Sequence, residues 1–155
     1  MFRFRREVKV AAQVTGLDPD LVQAVCEVES AGRTSAYRYE PKFWTKYLQG
    51  KPEWGHTNPE RVSASYGLMQ CMYPVAKEHG FHSEPEMLMV PEFGLYWGCL
   101  HLASLMAWAK NDVDKALSAF NAGKGNAHAP YKNQAYIDKV KAALAKIQQE
   151  KEKPA

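Results

Sequence analysis

Cysteine is scarce in this chain, and the three that occur cannot build the frameworks that cysteines usually form. Cys26, Cys71 and Cys99 are odd in number and widely spaced, which excludes a complete set of disulfides and the close pairing of a zinc site. We expect three free thiols in a chain made in a reducing cytoplasm, with Cys26 as a small core residue. A catalytic cysteine paired with a histidine is the weaker alternative.

Strong charge of either sign is also absent. The 20 basic and 17 acidic residues give a formal net charge of +3, which is far from the basic footprint of nucleic-acid-binding proteins. The basic N-terminus has no apolar run behind it, because Glu7 and Lys9 interrupt the sequence, and this predicts no signal peptide. We therefore predict no nucleic-acid partner.

Long apolar runs are limited to one candidate. Phe93 to Ala109 contains no charged residue over 17 positions, which reaches only the lower limit for a membrane span. Gly94, Gly98 and His101 make it a poor span. We predict instead a central buried helix opened by Pro91, with the two glycines allowing close approach of another helix, and no membrane contact.

Metal-ligand clusters and phosphate-binding loops are missing as well. Only His79 and His82 share a short spacing, and no convincing third ligand lies near them, so we predict no metal and no cofactor. A length of 155 residues with 46% apolar residues fits one globular domain over residues 1–155.

Helical periodicity dominates what is present, and it predicts a mainly α fold. The tail from Glu150 is expected to fray. Besides the buried helix and a short one ending near His79, helices are predicted from about Phe4 to Thr15, Pro19 to Ser30, Asp112 to Gly123 and Asn133 to Gln149.

The second of these helices contains the most informative residue. At about 100° per residue, Glu29 falls in the middle of the apolar stripe that begins at Val22, whereas Glu27 falls with Asp20 and Gln23 on the opposite, polar face. One carboxylate is therefore predicted to be solvated and the other to point inward.

An inward carboxyl group at Glu29 has two interpretations. Because an unpaired buried charge is costly, the group raises its pKa and keeps its proton, and a glutamic acid protonated near neutral pH can act as a general acid. Alternatively, Glu29 pairs with a lysine or arginine, or reaches solvent at the helix end, and has a structural role.

Four short motifs carry a family resemblance: Glu29-Ser30 at a helix end, Gly67-Leu68-Met69-Gln70, Ala119-Phe120-Asn121-Ala122-Gly123, and Tyr136. In order and type they resemble the lytic transglycosylases of the soluble-lytic, goose-lysozyme-like kind, over about residues 17–140. The resemblance implies a lysozyme-like domain with Glu29 as the sole catalytic acid and base and Tyr136 hydrogen-bonded near it.

The chain departs from that family in two places. Phe120 stands where a tyrosine is more usual, so a hydroxyl group there cannot be required. The segment from Ser30 to Gly67 is much longer than in typical bacterial members, which resembles bacteriophage lysis or virion-associated versions. Apart from a short helix from Phe43 to Leu48 ended by Gly50, we expect this insertion to be irregular. About half of its aromatic residues are expected to pack against the core, and the others suit stacking on sugar rings.

Glu40 is the candidate for a second carboxylate, since the following Pro41 favours an extended conformation there; a surface glutamate is the alternative. The predicted substrate-binding residues are Ser30, Glu40, Gly67, Leu68, Met69, Gln70, Phe120, Asn121 and Tyr136.

The resemblance implies cleavage of the β-1,4 bond between N-acetylmuramic acid and N-acetylglucosamine in peptidoglycan glycan strands, with a 1,6-anhydromuramic product. Two alternatives stay open: a goose-type hydrolase that uses Glu40, and a non-catalytic cell-wall-binding module. We expect a monomer that acts in the periplasm and is delivered through a holin or as part of a virion.

Overall fold

The computed structural model describes residues 1–153 and is mainly helical, as predicted. Its helices are α1 (Arg5–Thr15), α2 (Pro19–Ser30), α3 (Pro41–Phe43), α4 (Pro59–Val62), α5 (Tyr73–Glu78), α6 (Pro91–Trp108), α7 (Val113–Ala122) and α8 (Gln134–Glu152). The strands are β1 (Tyr37–Tyr39), β2 (Ala64–Tyr66) and β3 (Cys71–Met72). A π-helical turn, Trp44–Leu48, continues α3, and 3-10 turns occur at Pro52–Trp54, Pro85–Met89 and Lys124–Asn126.

A core of aliphatic side chains joins the long helices. Helix α2 packs along α8, and α6 packs against α1 and α7. Val8, Val22, Val25, Leu95 and Ile137 are fully buried in this core. The periodicity of the sequence therefore predicted the long helices and their inner faces correctly, because these faces are local properties of each segment.

The polar face of α2 is more buried than predicted. Asp20 and Gln23 are only 5% and 7% exposed, because Arg5 of α1 donates hydrogen bonds to both side chains. Lys151 of α8 donates to the other carboxylate oxygen of Asp20 at 2.9 Å. Burial opposes ionisation of Asp20, but the hydrogen bonds from Lys151 and Arg5 hold its pKa below the ordinary value. The expected fraying from Glu150 is therefore wrong for the described residues, because α8 continues to Glu152; the last two residues of that tail lie outside the part of the chain that the structure describes.

The insertion between α2 and Gly67 was expected to be irregular, and this was wrong. Strands β1, β2 and β3 form an antiparallel sheet in which Tyr37 pairs with Tyr66, and Ser65 pairs with Met72. Strands of two or three residues are too short to show an alternating pattern in sequence. The predicted short helix is present as α3 and its π-helical continuation, and Gly50 follows with a positive φ of 86°.

The buried helix predicted after Pro91 is confirmed as α6, but its glycines serve a different purpose. A Cβ atom at Gly94 would collide with the backbone carbonyl of Leu88, and one at Gly98 would lie 2.6 Å from the sulfur of Met69. The close approach is therefore made by a 3-10 turn and a core side chain, and not by a second helix.

The three cysteines are buried and free. Burial raises the pKa of the Cys71 and Cys99 thiols to about 12, which keeps both in the unreactive thiol form at neutral pH. Within residues 1–153, no helix has the length and apolar character that crossing a membrane requires. The same part of the chain contains no cluster of three side chains able to hold a metal ion.

Candidate active site

A cleft with a volume of about 890 Å³ opens between the insertion and helices α5, α6 and α7. Five of the predicted site residues line it, namely Glu29, Glu40, Gln70, Phe120 and Asn121. They come from the end of α2, the insertion, the β2–β3 turn and the end of α7. The fold thus brings together residues that are far apart in sequence.

Glu29 lies near the C-terminal end of α2, where Ser30 fixes the backbone. The Ser30 hydroxyl lies within hydrogen-bond distance of two carbonyl oxygens, that of Cys26 at 2.9 Å and that of Leu68 at 2.8 Å. Ser30 is only 2% exposed and does not line the cleft. Its predicted contact with substrate is therefore wrong; it ties the end of α2 to the turn that follows β2.

The environment of Glu29 favours its protonated form. Burial raises the pKa of its carboxyl group from 4.5 to about 7; the hydrogen bond from Tyr136 and the charge of Arg38 lower it, and the charge of Glu40 raises it. No lysine or arginine forms an ion pair with Glu29 among the residues described. The carboxyl group therefore exchanges its proton near neutral pH, which is the range that general acid–base catalysis needs.

Tyr136, on the first turns of α8, donates a hydrogen bond to Oε2 of Glu29 at 2.9 Å. The two residues are 107 positions apart in the chain, and the packing of α2 along α8 brings them together. The hydroxyl group fixes the orientation of the carboxyl group and stabilises its charged form. This contact agrees with the prediction made from the family resemblance.

Tyr136→Phe should therefore keep the fold and move the alkaline limit of activity to higher pH. The variant loses the hydrogen bond that lowers the pKa of Glu29, so the carboxyl group keeps its proton further into the alkaline range. We expect activity at the optimum to fall roughly tenfold, in line with the loss of one hydrogen bond to a charged group. The measurement is a pH–rate profile, with Tyr131→Phe in the loop before α8 as the control. An unshifted alkaline limit would contradict the effect of the Tyr136 hydrogen bond on the pKa of Glu29.

The Gly67 to Gln70 segment is the turn between β2 and β3, and only its last residue reaches the cleft. Leu68 and Met69 are 1% and 0% exposed, so their predicted contact with sugar is wrong, and their side chains belong to the core. Gly67 has a φ of 77°, and the Leu88 carbonyl occupies the space of a Cβ atom. The glycine therefore serves the turn, as its conformational freedom suggested, and not the ligand.

The Gln70 side chain is oriented by two bonds from its amide nitrogen. Nε2 donates to the carbonyl oxygens of Ala36 and Gly67, both at 3.0 Å. Because both carbonyls can only accept, the amide nitrogen is assigned unambiguously. The sequence suggested that Gln70 both donates and accepts towards a ligand; with its donors occupied, it has an acceptor, Oε1, to offer.

Asn121 offers the cleft a hydrogen-bond donor, whereas Gln70 offers an acceptor. Its Oδ1 accepts a hydrogen bond from Nδ2 of Asn133 at 3.0 Å, and Asn133 is itself fixed by Ser118. The Nδ2 donor of Asn121 is therefore the group available at the cleft. Next to it, the ring of Phe120 lies 5.6 Å from the ring of His101.

Glu40 lines the cleft, as a second carboxylate must, but its carboxylate forms an ion pair with a neighbouring side chain. Its carboxylate lies 3.3 Å from Nε of Arg38, and its side chain is 32% exposed. Its backbone is fixed by Ser63, which accepts from the Glu40 N–H and donates through Oγ to the Glu40 carbonyl. Arg38 and Glu40 also act on Glu29 with opposite effects on its pKa.

Sequence reasoning missed a pair of cleft histidines. Nε2 of His79 and Nδ1 of His101 are 3.0 Å apart, and both residues line the cleft. Burial, then the charges of His79 and Lys124, lower the pKa of His101 to about 4, so it is neutral at pH 7. The short spacing of His79 and His82 suggested that these two lie together. The histidine that contacts His79 is instead His101, 22 residues away, and no sequence pattern indicates this contact.

Comparison with known proteins relates this chain to a family. Residues 7–142 match the transglycosylase SLT domain family. No curated protein sequence matches the chain significantly. Among solved structures, the fold is similar to an inactive glutamate-to-glutamine mutant of the lytic transglycosylase Slt from Pseudomonas aeruginosa, with a TM-score of 0.74 and 19% identity. That match covers 99% of this chain and 25% of the other, so this chain spans about a quarter of its length. With more than half of its residues inside the match, the chain belongs to the transglycosylase SLT domain family.

Proposed function

We propose that the protein is a peptidoglycan lytic transglycosylase with Glu29 as its general acid and base. The observation that carries the proposal is the carboxyl group of Glu29, which lines the cleft, has a pKa of about 7 and accepts a hydrogen bond from Tyr136. Membership of the SLT family supports the reaction class. The Pseudomonas enzyme with a similar fold is inactive as a glutamate-to-glutamine mutant, which supports catalysis by a glutamate.

The proposed reaction uses Glu29 twice. The protonated carboxyl group donates its proton to the oxygen of the β-1,4 bond between N-acetylmuramic acid and N-acetylglucosamine, and the bond from that oxygen to the muramic C1 breaks. The resulting carboxylate takes the proton of the muramic C6 hydroxyl group while the C6 oxygen forms the new bond to C1. A 1,6-anhydro ring forms, Glu29 is protonated again and no water is consumed. Because the nucleophile is part of the substrate, proximity supplies much of the rate.

Two amides are proposed to recognise the sugar substituents. Gln70 offers an acceptor and Asn121 offers a donor, and an acetamido group presents the matching N–H and C=O. Both side chains are held by hydrogen bonds to other parts of the domain, so little ordering is needed when substrate binds.

A goose-type hydrolase is the second candidate, because Glu40 lines the same cleft as Glu29. Hydrolysis needs a carboxylate that activates water or forms a covalent intermediate. Glu40 is paired with Arg38, so its carboxylate already has a partner. This pairing makes us prefer the transglycosylase.

Product analysis separates the two reactions. We expect mass spectrometry of digested peptidoglycan to show anhydromuramic ends, and Glu40→Gln to weaken activity without changing the product. Because the charge of Glu40 raises the pKa of Glu29, the variant should also move the alkaline limit to lower pH. Glu53→Gln, which changes another carboxylate of the cleft, is the control.

Two outcomes would contradict this scheme, and a third would add a side reaction to it. Reducing muramic ends that incorporate oxygen from labelled water, and that disappear in Glu40→Gln, would establish the hydrolase. Binding of peptidoglycan without any cleavage would establish a non-catalytic module. A mixture of both ends would show that water competes with the C6 hydroxyl group.

We further propose a bacteriophage-type enzyme that acts as a monomer on the cell wall, which it reaches through a holin or from a virion. The long insertion is the feature that supports this context.

A further inference from the structure

Ser65 differs from the other buried polar residues of the part of the chain that the structure describes. It is only 6% exposed, yet its hydroxyl group has no hydrogen-bond partner within residues 1–153. The other buried polar side chains all form hydrogen bonds; they are Asp20, Gln23, Ser30, Ser63 and Ser118. Because a hydroxyl group withdrawn from water without a partner costs free energy, this one needs a partner that the protein does not provide.

The short sheet directs the Ser65 side chain into the cleft. Its neighbours on β2, Ala64 and Tyr66, are buried in an apolar cluster on one side of the sheet, and successive side chains of a strand point to opposite faces. Ser65 lines the cleft on the other face, together with its cross-strand partners Arg38 and Met72. Among the residues described, every fully buried side-chain nitrogen or oxygen has a partner. Oγ of Ser65 is therefore not fully buried, and the surface that it reaches is that of the cleft.

Arg38 adds hydrogen-bond donors on the neighbouring strand. It pairs directly with Ser65 across β1 and β2, a position in which the Cβ atoms lie about 5 Å apart. Its Nε atom lies against Glu40, and no residue between 1 and 153 accepts a hydrogen bond from its two terminal nitrogens. A guanidinium group only donates, and a hydroxyl group can donate as well. The two side chains together are suited to an acceptor oxygen of a ligand.

Ser65 lies at the end of the cleft that holds the acid. The carbonyl of Leu68 accepts a hydrogen bond from Ser30, the residue after Glu29. Leu68 follows Ser65 by three residues, so the two are at most about 11 Å apart along the chain. Gln70, whose Oε1 is available as an acceptor, belongs to the same turn between β2 and β3. A sugar ring that contacts Glu29 is therefore close to Ser65.

We propose that Ser65 contacts the substrate and that its hydroxyl group, with Arg38 beside it, binds a carbonyl oxygen of a sugar substituent near the scissile bond. A carbonyl oxygen only accepts, so it fits two donors better than a sugar hydroxyl group, which also needs an acceptor. The glycan strand carries such oxygens in its acetamido groups and in the lactyl group of each muramic ring. The inference rests on the proposed function, because it takes the glycan strand as the ligand.

The experiment measures binding to the Glu29→Gln variant, in which the ligand should stay uncleaved. Two peptide-free probes are compared: an oligosaccharide of β-1,4-linked N-acetylglucosamine, which has acetamido carbonyls only, and glycan strands, which also carry the lactyl carboxyl group. Adding Ser65→Ala should weaken binding of at least one probe roughly two- to tenfold, the effect of one hydrogen bond. A loss on both probes assigns the oxygen to an acetamido group, and a loss on glycan strands alone assigns it to the lactyl group.

Ser104→Ala is the matched control. Ser104 also lines the cleft, but its hydroxyl group already donates to the carbonyl of His101 at 2.7 Å. Because this hydroxyl group has its partner within the protein, its removal should leave the binding of both probes unchanged.

Urea unfolding without ligand separates contact with substrate from a structural role. Since no hydrogen bond within residues 1–153 is lost, Ser65→Ala should leave the urea midpoint unchanged or raise it. Ser63→Ala removes the bond to the Glu40 carbonyl and should lower the midpoint. Unchanged affinity for both probes, or a loss of stability as large as that of Ser63→Ala, would overturn the inference. Failure of the proposed function would appear separately, as absence of cleavage with Glu29 intact while the Ser65-dependent binding persists.

Discussion

Glu29→Gln should fold normally and lose cleavage of peptidoglycan almost completely. The amide keeps the shape of the side chain and can still accept the hydrogen bond from Tyr136, but it can neither give nor take the catalytic proton. General acid–base catalysis is worth roughly 10²–10⁴-fold, and in the proposed reaction one group performs both transfers. The loss should therefore lie at the upper end of this range. Clearing of purified cell walls measures it.

Glu27→Gln is the matched control, since Glu27 is a half-buried glutamate two positions earlier on the same helix, where Gln23 donates to it. We expect its activity to stay within a few-fold of the unchanged protein. Substantial cleavage by Glu29→Gln would remove Glu29 from the mechanism, and an equal loss in both variants would indicate that the helix itself had been disturbed.

Activity should fall about tenfold for each pH unit above about 7, because the acid is available only while Glu29 holds its proton. The same displaced pKa makes a prediction about stability that does not depend on catalysis. Between pH 4.5 and 7 the folded protein binds a proton that the unfolded chain releases. This contribution to the free energy of unfolding is complete below pH 4.5 and is lost as the pH rises through 7.

Each tenfold change in proton affinity corresponds to about 1.4 kcal/mol, so the displacement from 4.5 to about 7 is worth about 3 kcal/mol. Glu29→Gln lacks the titrating group. The free energy of unfolding of the variant minus that of the unchanged protein should therefore rise by this amount from pH 4.5 to pH 9. Urea unfolding of both proteins at the two pH values measures the difference, and the titrations of all other groups cancel. A constant difference across this range would mean that Glu29 has an ordinary pKa.

Local information was sufficient for helix α2. The inward direction of Glu29 follows from the 3.6-residue period, and the helix bounds follow from Asp18, whose side chain accepts from the Asp20 N–H. The burial of Asp20 and Gln23 was not predictable in the same way. This burial depends on Arg5 and on Lys151, which is 131 positions from Asp20 in the chain. The sequence does not show that these side chains meet.

The motifs predicted which segments form the cleft better than which atoms face it. Gln70 and Asn121 do line it, but Ser30, Leu68 and Met69 support it from behind. A motif records that residues are needed together, and packing beneath a site requires specific residues as strictly as contact with a ligand does. Separating the two roles requires the three-dimensional arrangement.

The carbonyl of Leu88, which lies against both Gly67 and Gly94, restricts how this domain can be engineered. Replacing a glycine inside a helix by alanine ordinarily gains up to about 1 kcal/mol, and Gly94 of α6 would be an obvious choice for thermostabilisation. Here the added methyl group would push on the 3-10 turn that also supports the β2–β3 turn, and through it on Gln70. Stabilisation of this domain is therefore better sought at surface positions away from this junction, and positions 67 and 94 are best held fixed in any mutant library.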